Sequence, residues 1–96
     1  MPREGRGVIR AIAKANNKTV SAVKSEIMRN FTHAIAETLG RDRSVWLNNL
    51  STGLRTLFAW LRQRVMSGNY AIPTKEEAKA ALTAGVPRAA ATAATA

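Results

Sequence analysis

Five leucines constrain this chain more than any other feature. Leu47, Leu50, Leu54, Leu57 and Leu61 follow one another at spacings of three, four, three and four. That rhythm places them on one seam of an α-helix, at the a and d positions of a heptad. Trp46, Phe58, Trp60 and Val65 flank the seam and widen it, while Asn48, Asn49, Thr52, Arg55, Arg62 and Gln63 fall on the far side. The helix is expected over 44–67, with Ser44 as its N-cap and Ser67-Gly68-Asn69 as its stop signal. Gly53 is its weak point: a mid-helix glycine costs about 1 kcal/mol relative to alanine and invites a kink or a break. Two heptads fall short of the ~3–4 that argue for a free-standing coiled coil. The seam therefore reads first as the core of a small bundle. The second reading is self-association through the same leucines, giving a homodimer.

The rest of the chain supplies helices to pack against it. Residues 1–6 read as a flexible basic arm, because Pro2, Gly5 and Gly7 oppose regular structure. Val8, Ile9, Ile12 and Ala13 then recur at helical spacing, and Asn16-Asn17-Lys18 breaks that short helix, since asparagine tolerates the left-handed conformation of a tight turn. Thr19 is placed to cap a second helix, in which Val20, Val23, Ile27, Phe31, Ala34, Ile35 and Leu39 trace an apolar stripe as far as Gly40. After Asn69 the chain reads as extended, because Ile72 precedes Pro73. Thr74 with Glu77 forms a capping box for a last short helix over 75–83, closed by Gly85 and Pro87. Residues 86–96 are a low-complexity alanine and threonine tail, expected to be disordered. The fold class predicted is all-α: a bundle of about four helices within a single domain over 7–85.

Fifteen lysines and arginines face six acids, a net charge of +9. The excess sits in the helical part: residues 1–40 carry seven positive and three negative charges, and 41–68 carry five and one. A basic chain of 96 residues with this distribution points to a polyanion as partner. Cysteine is absent, which excludes disulfides and thiolate chemistry and fits a cytoplasmic protein. A single histidine, His33, cannot build the usual zinc sites, so no metal or cofactor is expected. No run of ~18 apolar residues argues for a membrane span, and no signal peptide is evident.

Which polyanion follows from the first two helices. A helix over 8–16, the Asn16-Asn17-Lys18 turn that ends it and a helix over 19–39 have the layout of a helix-turn-helix. Ala13 is small where the helices must approach, Asn17 occupies the turn, and Val20 and Val23 lie where the second helix packs back on Ile12. The outward face at its start is then Thr19, Ser21, Ala22, Lys24 and Ser25, with Met28 and Arg29 one turn later. Short hydroxyls, small apolar groups and cations are what a major groove accepts. Arg10 and Lys14, with Arg3 and Arg6 in the arm, are candidates for backbone phosphates. Glu26 has two readings, as an acceptor for a cytosine amino group or as a salt-bridge partner of Lys24 or Arg29.

The segment from Ile12 to Ile27, IAKANNKTVSAVKSEI, resembles the helix-turn-helix of the C-terminal DNA-binding domain of the sporulation response regulator of endospore-forming bacteria. The shared features are Ile12-Ala13-Lys14, Asn17, Thr19, Ser21, Val23 and Ile27. The resemblance implies an all-helical effector domain whose second helix enters the major groove. Ser21, Lys24, Ser25 and Met28 would face bases, and Lys18 and Arg29 phosphates.

Other residues have plainer readings. His33 lies on a solvated face without a serine or carboxylate placed to partner it. Trp46 and Trp60 read as core rather than as base-stacking platforms. Glu76 and Glu77, being adjacent, point in different directions and make a poor acid–base pair, so no catalysis is expected. The expectation is a DNA-binding regulator of transcription acting on duplex DNA. The alternative is a protein-interaction module that presents the leucine and tryptophan face of 44–67 to a protein partner.

Overall fold

Short-range capping signals set the bounds of most of the helices. The structure, a computed structural model, describes the backbone of residues 4–95 and the side chains of residues 7–85. Four helices follow in order, α1 Glu4–Ala15, α2 Val20–Leu39, α3 Trp46–Met66 and α4 Lys75–Thr95, and the described residues contain no strand. The all-α bundle is as expected.

Between α1 and α2, Asn17 adopts φ 54°. The Lys18 N–H reaches the Ala13 carbonyl at 3.0 Å and the Asn17 N–H reaches that of Lys14 at 3.3 Å. These two bonds are the Schellman pattern, with asparagine supplying the left-handed residue. The Thr19 hydroxyl then accepts from the Ala22 N–H at 3.1 Å and caps α2. At the end of α3 the pattern repeats around Gly68, at φ 93°, with Asn69 N–H on the Arg64 carbonyl at 2.8 Å. The Thr74–Glu77 capping box forms in both directions, at 3.0 and 3.1 Å.

Four expectations about element ends are corrected. The arm is shorter than predicted: α1 begins at Glu4; Arg3 lies outside the described residues, as does the side chain of Arg6. Ser44 does not cap α3. Its N–H and hydroxyl both donate to Asp42 Oδ1, at 3.0 and 2.8 Å, and Val45 takes the cap position with no side-chain bond. The backbone of α4 continues to Thr95, through a run of alanine, the strongest helix former. Gly85 does not stop it, because it serves a close approach instead: a methyl there would lie 2.9 Å from Thr56 Cγ2.

The core is built from α2 outwards. Val23, Ile27, Phe31, Ala34 and Ile35 have no exposed surface, and Ile12 of α1, Leu57 and Leu61 of α3, and Ala78 and Leu82 of α4 close around them equally completely. Phe31 is central, meeting Phe58 edge-on at 5.3 Å between ring centres, with Trp60 at 6.3 Å. Both tryptophans pack against this core. Gly53 is not a flaw: α3 runs through it unbroken, and a β-carbon there would come within 2.5 Å of Ile35 Cγ1. The missing side chain lets α3 sit directly on α2.

Candidate nucleic-acid interface

Thr19 fixes where α2 starts, and the buried pair Val23 and Ile27 fixes how it is rotated. On a helix with those residues inward, Ser21, Ala22, Lys24, Ser25 and Arg29 must face out, and all are exposed. Met28, on the shoulder of the face, is half-buried. Thr19 is exposed but its oxygen is committed to the cap. Lys18 is exposed in the turn and forms a 3.4 Å ion pair with Glu26. Glu26 thus pairs with a residue eight positions back, rather than with Lys24 or Arg29, because the left-handed turn folds Lys18 over the first turns of α2.

Arg10 and Lys14 are exposed on α1, so the helix pair presents cations on both members. Val20, expected to pack on α1, is 45% exposed and takes no part in the core cluster. Its position in the first turn of α2 leaves it at the rim of this surface.

Sequence reasoning missed two asparagines that hold the corner in place. Asn16 Nδ2 donates to the Ile12 carbonyl at 2.7 Å and also to the Tyr70 carbonyl at 2.8 Å. Asn30 Nδ2 donates to the Pro73 carbonyl at 3.0 Å. Together they fasten the α3–α4 connection to α1 and α2. Tyr70 is left half-exposed in a shallow cleft of about 500 Å³ with Ala11, Lys14 and Ala15. No local pattern in the sequence marks these bonds, since each joins segments more than forty residues apart.

Between the end of α2 and α4 the charges neutralise one another. Glu37 gathers Lys75 at 2.9 Å and Lys79 at 3.1 Å, with Glu76 beside both lysines. Hydrogen bonds from the two ammonium groups hold the Glu37 carboxyl below its ordinary range, and the same contact raises Lys75. Glu77 is lowered chiefly by the Thr74 N–H of its capping box, and further by Arg64. The Arg64 guanidinium lies over Trp60 at 4.8 Å and 3.4 Å from Glu77 Oε2. Ion pairs therefore collect along α4, and the outward face of α2 keeps its lysine and arginine for solvent.

The leucine seam is graded. Leu57 and Leu61 are wholly buried and Leu50 and Leu54 half-buried against the same core, whereas Leu47 is 78% exposed. Only the Leu47 end of the seam is presented outward. His33 is exposed. The described residues hold no cluster of histidine and carboxylate groups able to hold a metal, and none of their helices is long and apolar enough to cross a membrane. Comparison of the chain with protein-family models, with characterised proteins and with solved structures finds no match.

Proposed function

We propose that the chain is a cytoplasmic DNA-binding regulator of transcription that sets the first turns of α2 into the major groove of duplex DNA. The observation carrying this reading is the exposure of Ser21, Lys24 and Ser25 directly outside Val23 and Ile27, which are fully buried. Ser21 and Ser25 offer hydroxyls to bases or phosphates, Ala22 a methyl-sized contact for thymine, and Lys24 a donor for guanine or phosphate. Arg29 on α2, with Arg10 and Lys14 on α1, neutralises backbone phosphates, and Lys18 joins them when its pair with Glu26 opens. The resemblance of residues 12–27 to a helix-turn-helix points the same way. A single such motif makes few contacts, so the active species is a homodimer, which doubles the phosphates neutralised. Leu57 and Leu61 are spent inside the bundle, and pairing uses another surface.

Selection from random duplexes at physiological salt tests the proposal. An enriched motif is expected, and its symmetry reports the stoichiometry. Affinity should fall with salt at a log–log slope near −0.9 per phosphate contacted. Lys24→Ala should weaken the selected site by about 1–3 kcal/mol. No enrichment, together with a flat salt response, would sink the reading.

A further inference from the structure

A second surface lies at the α2–α3 corner, where the leucine seam begins. Leu47 is the most exposed leucine of the seam, at 78%, and Val45 beside it is 43% exposed. With half-buried Trp46 they form a run of three apolar residues in contact with water. A groove of about 450 Å³ opens there, lined by Thr32, Arg41, Arg43, Trp46 and Leu47. Neither arginine forms an ion pair among the described residues. Asp42, which stands between them in sequence, is engaged by the N–H and hydroxyl of Ser44 and is not among the groove residues. The first-turn amides of α3 carry no side-chain cap, so their partial positive charge adds to that of the arginines.

We infer that this groove docks an acidic, amphipathic segment of a partner protein, which sets an apolar side chain against Trp46 and Leu47 and carboxylates against Arg41 and Arg43. Charge complementarity selects this occupant. A second copy of the chain would bring arginine pairs face to face, and like charges across an interface oppose association. A single-stranded nucleic acid uses aromatic platforms and cations, but it gains little from exposed leucine and valine. Tryptophan and arginine rimmed by aliphatic surface are the composition of a protein–protein anchor. This inference does not depend on α2 binding DNA.

The test is selection of a displayed random dodecapeptide library on the full chain, with the Arg41→Ala/Arg43→Ala and Leu47→Asn variants as counter-selections. These side chains are solvent-facing, and unchanged helicity by circular dichroism would verify that each variant folds. Enriched peptides should combine acidic and apolar residues. Synthetic copies should lose at least tenfold in affinity for either variant and keep it for Lys24→Ala. Absence of enrichment over the variants overturns the inference. So does binding of a dT12 oligonucleotide or of anionic phospholipid vesicles that needs Arg41, Arg43 and Leu47 when peptides do not. A dimer seen by light scattering and abolished by Leu47→Asn would assign the groove to a second copy instead.

Discussion

The two halves of α2 are built from one continuous helix and do opposite things. Over residues 20–29 it buries Val23 and Ile27, leaving Ser21, Lys24, Ser25 and Arg29 in water. Over 30–39 it buries Phe31, Ala34, Ile35 and Ala36, and its exposed carboxylate, Glu37, is tied to lysines of α4. The first half is a display surface on a thin apolar stripe; the second is the axis of the core. A single rigid element thus transmits the firmness of the core to the face that is exposed. Substitutions in the two halves should therefore separate stability from the binding proposed for the exposed face.

Phe31→Ala tests the core half most severely. Removing a fully buried ring that meets Phe58 and Trp60 should cost about 3–5 kcal/mol in denaturant unfolding. A loss below ~1 kcal/mol would mean that the second half is not the axis of the fold. Gly53→Ala presses on the same half from α3. The new methyl meets Ile35, and overpacking of about 1–3 kcal/mol should outweigh the gain of up to ~1 kcal/mol in helix propensity. A more stable variant would show that Ile35 yields freely.

Thr19→Ala acts on the display half, removing the cap bond to Ala22 at a cost of about 1 kcal/mol. Hydrogen exchange should quicken in the first turn of α2 while amides around Phe31 keep their protection. Uniform acceleration would show that the halves are not separable. The smallest effect belongs to Glu37→Gln. The carboxyl is depressed below its ordinary 4.5 by Lys75 and Lys79. Its contribution is present above that value and disappears as pH falls through the lowered folded-state pKa. Thermal midpoints of variant and parent should differ slightly at neutral pH and converge as the pH falls through the lowered folded-state value. Because the pair is exposed and screened, the neutral-pH gap should shrink further in high salt.

What the sequence made legible was local. Thr19, Asn17, Gly68 and the Thr74–Glu77 box act within a few residues of themselves, so their roles can be read without knowing what packs nearby. The outward face of α2 followed from Val23 and Ile27 by helical periodicity alone. The misreadings share a different cause: each depended on a partner distant in sequence or on competition for one atom. Gly53 looked like a defect until Ile35 lay against it, and Gly85 looked like a stop until Thr56 did. Ser44 was a reasonable cap, except that Asp42 took its hydroxyl. Leu47 and Val20 obey the apolar pattern of their helices but sit where no neighbouring element arrives to cover them.

The side-chain amides of Asn16 and Asn30 join positions 54 and 43 residues apart. As the polypeptide emerges from the ribosome N-terminus first, α1 and α2 are made before the carbonyls that Asn16 and Asn30 bond. Those two bonds cannot close until residues 70–73 have cleared the exit tunnel. A nascent chain stalled before that point would lack both fastenings of the corner, and so would an excised 1–40 fragment.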